Sequence, residues 1–143
     1  MPFITLFLTS FASATLLPGG SEVLFVYLLA QKNDPTLLLL SATLGNTLGS
    51  YANYLLGKYA ISFALKKRYV GEKLLKKAEI LFEKYGAWTL LFSWLPIIGD
   101  PLTVVAGCAN YKVWKFLMIV GCAKMTRYLF IYMGFWVIDW LYM

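Results

Sequence analysis

The sequence predicts an all-α integral membrane fold: two inverted repeats, each a re-entrant helical hairpin plus one transmembrane helix, linked by an amphipathic surface helix. Three observations carry this expectation. Of 143 residues, 60% are hydrophobic and only 14% charged, with a mean hydropathy of +0.68. That is more apolar surface than a small soluble globule can hide from water. Apolar runs long enough to cross a bilayer, about 20 helical residues, are broken twice, at "LPGGSE" and "LPIIGDP". The two breaks fall at matching places in the two halves of the chain. The organisation expected is one membrane domain, with residues 1–57 as the first repeat, 58–85 as a basic linker and 86–143 as the second repeat.

The first apolar run covers residues 2–30. Ala12-Ser13-Ala14 resembles a cleavage site, but no basic residue precedes the run, so the segment reads as retained. Pro18, Gly19 and Gly20 break it, leaving a second limb of about eight residues from 23 to 30, too short to cross alone. A hairpin that enters and leaves on one face accounts for this shape. Residues 35–57 then form a full span. Within it "GNTLG" places Gly45 and Gly49 at the small-xxx-small spacing that lets helices approach closely, and Asn46 needs a polar partner.

Residues 58–84 carry eight basic residues against Glu72, Glu79 and Glu83, which is five of the six net positive charges. Val70, Leu74, Ala78, Leu81 and Tyr85 recur at helical spacing opposite a charged face, as in a helix lying on a bilayer surface. The positive-inside rule puts this linker in the cytoplasm and both termini outside.

The second repeat follows the same plan. Residues 86–95 and 102–111 are two limbs of about 15 Å each, half the thickness of the hydrocarbon core, joined at a tip containing Pro96, Gly99 and Pro101; one kinked span through both prolines is the alternative to a hairpin. Residues 113–138 form the last span. A shift of 78 positions lays Leu17-Pro18 on Leu95-Pro96 and Glu22 on Asp100, and a shift of 77 lays Tyr51 on Tyr128 and Gly57 on Gly134. A hairpin plus one crossing moves the chain to the opposite side, so the second copy is inverted, as in transporters built around broken helices. Trp94, Trp114, Trp136 and Trp140 suit interface anchors.

Composition also excludes chemistry. There is no histidine, which removes the usual general base, histidine-based zinc sites and the Ser-His-Asp triad. Cys108 and Cys122 have no metal or redox spacing, and no phosphate-binding glycine loop is present. The expectation is a protein that is not an enzyme, without metal or cofactor, whose partners are membrane lipids rather than nucleic acid; self-association stays open.

Outside the linker, four charges stand inside apolar stretches: Glu22, Asp100, Lys124 and Arg127. Each costs about 2.5–3.5 kcal/mol at the membrane centre, so it seeks a partner or a wet cavity. Lys124 and Arg127 share one face of the last span. With both hairpin tips meeting them, a neutral four-charge cluster forms at mid-depth. Glu22 and Asp100 placed close together do not both ionise easily, so one is expected to hold a proton. The expected roles are proton coupling for Glu22 and Asp100, and substrate contact for Arg127, Lys124 and Asn46. The competing structural account makes Asp100 an N-cap with Pro101 at the first helical position, and Ser21-Glu22 a cap of the other tip.

The pieces "SATLLPGGSE", "GNTLGSYANYLLG", "YGAWTLLFSWLPIIGDPLTVVAG" and "CAKMTRY" resemble the DedA/VTT (formerly SNARE-associated) membrane family, in its short YqaA-like branch. The resemblance implies a bacterial inner-membrane protein with two oppositely oriented re-entrant hairpins. Some members of that family are linked to moving phosphorylated polyprenyl carriers or phospholipids with dependence on the proton motive force. Relatives that look like F-x-R-x-x-P-x-x-R at the second hairpin carry arginines where this chain has Ser93 and Gly99, so their phosphate-holding role does not transfer to those positions. The leading expectation is a proton-coupled carrier of the lipid-flipping type. Its rivals are a small-ion/proton exchanger and a non-transporting membrane assembly or quality-control factor.

Overall fold

The computed structural model describes residues 1–15, 19–67, 71–95 and 98–142. Among them the chain forms helices and no strands: α1 (Pro2–Thr15), α2 (Gly20–Ala30), α3 (Pro35–Lys66), α4 (Glu72–Leu91), a 3₁₀ turn (Phe92–Trp94), α5 (Gly99–Cys108) and α6 (Val113–Tyr142). Of the expected hairpin-tip residues, Pro18 and Pro96 lie outside the described residues. So do Val70 and the side chains of Leu74 and Ala78 from the expected amphipathic face.

Local sequence explains where most helices begin and end. Helix α3 starts at Asp34-Pro35: the Asp34 carboxylate accepts from the backbone N–H of Thr36 and Leu37 at 2.8 and 3.1 Å, and Pro35 sits where no N–H is required. Helices α2 and α5, of 11 and 10 residues, are about half a bilayer core in length. Two residues past the end of each stands a residue with left-handed backbone, Lys32 at φ 59° and Asn110 at φ 50°. The next long helix starts at Pro35 in one case and Val113 in the other. These paired ends obey the same 78-residue offset as the two breaks.

Two helices extend further than the sequence suggests. Helix α3 runs past Gly57 to Lys66, and α4 runs from Glu72 straight through Gly86 to Leu91, merging the amphipathic segment with the first limb of the second hairpin. One interior glycine costs a helix only about 1 kcal/mol, so Gly86 does not stop it. Among the described residues α6 alone is both long and apolar enough to cross a membrane. Helix α3 has the length, 32 residues, but Asn46, Thr47, Ser50 and Asn53 lower its hydropathy.

Packing is organised around α3 and α6. Helix α1 lies along α3 at backbone contact: a Cβ on Gly45 would meet the Phe7 carbonyl oxygen at 2.3 Å, and one on Gly49 that of Phe11 at 2.5 Å. The expected close approach at "GNTLG" is therefore made against α1. Helix α5 lies against α3 by the same device further on, where a Cβ on Gly57 would meet the Val104 oxygen at 2.1 Å and one on Gly107 the Tyr54 oxygen at 1.9 Å. Gly134, the counterpart of Gly57 in the repeat, has open space around it.

Two apolar clusters result. Leu6, Phe25, Leu28, Leu38 and Tyr128 centre one; Tyr54, Leu90, Ala106, Phe116 and Val120 centre the other. The outer surface carries many exposed large apolar side chains, among them Leu8, Leu44, Leu56, Phe130, Trp136 and Trp140. Such a surface is stable against hydrocarbon, not water.

Candidate functional site at the hairpin tips

Between the two apolar clusters lies a polar layer. On α3 it runs from Thr43 to Asn53, flanked by Ala42 of one cluster and Tyr54 of the other. On α6 it holds Lys124 and Arg127, between Val120 and the Tyr128 ring. These stretches are the middles of the two longest helices.

The first turns of α2 and α5 each deliver a carboxylate to this layer. Glu22, in the first turn of α2, is ion-paired with Arg127. Asp100, in the first turn of α5, accepts a 3.0 Å hydrogen bond from the Lys124 ammonium, which is fully buried. The two cations lie three positions apart on α6, so its one face receives both tips. Each carboxylate has a cation of its own. The pairs are Arg127 with Glu22 and Lys124 with Asp100.

The capping account does not describe either tip. Helix α5 begins at Gly99, before Asp100, and neither α5 nor α2 has a side-chain cap hydrogen bond. Asp100 is turned to Lys124 instead. Pro101, third in α5, is tolerated because the first turn needs no N–H from it. Gly19 has φ +99°, backbone that side-chain-bearing residues rarely adopt. Gly20 has nothing within 4 Å of an added Cβ, whereas Gly99 lies against the Ser93 carbonyl, which a Cβ there would approach to 2.3 Å.

Asn46 reaches the first tip through one intermediary. Its amide donates to the Tyr128 hydroxyl at 3.1 Å, and that hydroxyl donates to Ser21 at 2.8 Å, with Ser10 at 3.5 Å. Buried Tyr128 thus ties α1, α2 and α3 to α6. In the sequence it stood out only as a repeat partner of Tyr51. Asn53 and Tyr54 close the layer by donating to the carbonyls of Ala14 and Tyr111 at 2.8 and 2.6 Å. Trp94, Trp114, Trp136 and Trp140 are exposed on the outer surface. Cys122 is exposed too, while the Cys108 thiol donates to the Gly57 carbonyl at 3.4 Å.

The model of the VTT domain matches residues 17–136, a stretch that holds both tips and both cations. The chain belongs to the VTT domain family. Among curated relatives of this VTT protein, "Inner membrane protein YqaA" of Escherichia coli (strain K12) is 40% identical over 90% of the chain and 87% of that protein. The protein of the same name in Shigella flexneri shows the same figures. An uncharacterized protein of Haemophilus influenzae is 37% identical over 86% of the chain and 80% of that protein. No solved structure matches this VTT chain.

Proposed function

We propose that this VTT protein is a proton-coupled carrier of the bacterial inner membrane that moves the anionic headgroup of a long-chain lipid, a phosphorylated polyprenyl carrier or a phospholipid. One observation carries the reading: two short helices from different parts of the chain each present a first-turn carboxylate to a cation on one face of α6. In this reading α1–α2 and α4–α5 are re-entrant hairpins from opposite sides, α3 and α6 are the crossings, and the basic segment between α3 and α4 is cytoplasmic. The common 78-residue offset of the tip carboxylates and of the Lys32 and Asn110 turns supports two repeats of inverted orientation.

The chemistry is an exchange of partners. In the resting arrangement Arg127 and Lys124 are each occupied by a carboxylate. A proton on Glu22 or Asp100 removes that hold, and the released cation, beside a helix N-terminus, takes the anionic headgroup. Loss of the proton restores the ion pair and displaces the headgroup. An apolar groove of about 300 Å³ between Leu91 and Trp94 on one wall and Cys122, Ala123, Thr126 and Phe130 on the other flanks the same stretch of α6. It offers a place for the lipid chain.

The test is flux in reconstituted vesicles with an imposed proton gradient. Labelled polyprenyl phosphate should cross with the wild-type protein and not with Glu22→Gln or Asp100→Asn, although both variants are recovered in the membrane. Wild-type flux in both variants would end the coupling mechanism. Cation flux without lipid movement in the same vesicles would make the protein a small-ion/proton exchanger instead.

A further inference from the structure

The polar layer contains more hydrogen-bonding capacity than the ion pairs and the Tyr128 junction use. On α3, Thr43, Asn46, Thr47 and Ser50 stand at relative positions 0, 3, 4 and 7 and so share one face. Thr43 Oγ1, Asn46 Oδ1, Thr47 Oγ1 and Ser50 Oγ are all buried, and among the described residues none has a hydrogen-bond partner. Asn46 is 3% and Ser50 0% exposed.

Helical hydroxyls usually solve this problem by bonding back to the carbonyl four residues earlier. Thr5, Thr15, Ser62, Thr89 and Thr126 all do so. The α3 stripe does not. It faces α6: Asn46 bonds Tyr128, and the nearest neighbour of a Cβ placed on Gly121 would be the Thr47 side chain at 3.9 Å. At Gly121, α6 brings no side chain to that point of the interface.

A buried hydroxyl without a partner is costly, and four polar atoms in a row are resolved in proteins by bound water with two or more polar contacts. We infer that the seam between α3 and α6, along Thr43, Asn46, Thr47 and Ser50, is a binding site for a file of water molecules. From 43 to 50 the stripe is about 10 Å long, enough for about three waters at hydrogen-bond spacing. At Asn46, within the stripe, the file joins Tyr128 and, through Ser21, the residue next to Glu22. A wet seam there supplies hydrogen-bonded contact into the polar layer from within the helix pair. The inference extends the carrier reading, and its test reads hydration and not transport, so either can fail alone.

The test uses thiols, which react with methanethiosulfonate ethylammonium only where water lets them ionise. In the full-length Cys108→Ser/Cys122→Ser protein in lipid vesicles, Thr47→Cys and Ser50→Cys should each gain one adduct by intact mass. Leu44→Cys, on the exposed apolar face of α3, should gain none. Seam cysteines that stay unmodified in folded protein, yet react after denaturation, would overturn the proposal. Should the cysteine variants fail to fold, Thr43→Val and Thr47→Val in the wild-type background decide. A wet seam loses its water contacts and the melting temperature falls; an unchanged or raised melting temperature means the hydroxyls were dry and refutes the file.

Discussion

Lys124 has its ammonium buried from solvent and a counter-charge, Asp100, at 3.0 Å. Removing one member of such a pair strands the other in a low-dielectric site, a loss of about 3–5 kcal/mol, while replacing both by apolar groups of similar volume is often neutral. Asp100→Asn should therefore lower unfolding stability by about 3 kcal/mol, and adding Lys124→Met should recover most of it; chemical denaturation in detergent measures both. Proton-coupled flux should be absent in the single and the double variant, which separates the fold's need for the charge from the carrier's. The four charges were legible in the sequence because each stands inside an apolar run. Their pairing was not, since Lys124 and Arg127 lie on the same face and only the rotation of α6 against the tips assigns Glu22 to Arg127. Tyr128 was hidden among ten tyrosines, and its role depends on three hydroxyl or amide groups brought from α1, α2 and α3.

At the scale of elements, the short helices are fixed by their ends and by glycine contacts. Gly107→Ala would drive a methyl into the Tyr54 carbonyl, and overpacking of that kind costs about 1–3 kcal/mol. Gly134→Ala meets nothing within 4 Å and should be neutral or stabilising by up to about 1 kcal/mol, as alanine is the better helix former. Thermal unfolding of the two purified variants checks the contrast. The breaks at both tips were readable, because proline, glycine and a carboxylate together leave few helical options. The continuation of α4 past Gly86 was not, because Gly86 looks like a boundary yet is too weak a breaker to be one. The paired turns at Lys32 and Asn110 escaped notice because neither residue is the glycine such backbone usually announces.

For the whole molecule, composition alone separated a lipid-facing surface from a water-facing one, and the structure bears that out in its exposed leucines and tryptophans. The proposed topology puts residues 31–34 outside and 109–112 inside. Asn33→Cys should react with a membrane-impermeant maleimide in intact cells, and Asn110→Cys only after the membrane is opened. The reverse pattern would invert the arrangement, and reaction of both in intact cells would remove the crossing by α3. What the sequence concealed at this scale is the unequal packing of positions that its two halves match. Tyr51 is half-buried and stacked on Tyr54, while its partner Tyr128 is a fully buried hub. Matched letters in two halves of a chain need not have matched surroundings.

That inequality has a mechanical side. Helices α1, α3 and α5 touch backbone to backbone at Gly45, Gly49, Gly57 and Gly107, where no sliding is tolerated, so they form a stiff frame. The glycines of α6 are loosely surrounded, and its polar contacts with α2, α3 and α5 are breakable ones: an ammonium on Asp100, a guanidinium on Glu22, a phenol on Asn46 and Ser21. If any part of this protein shifts during a work cycle, α6 is the rod that travels and those contacts are its catches.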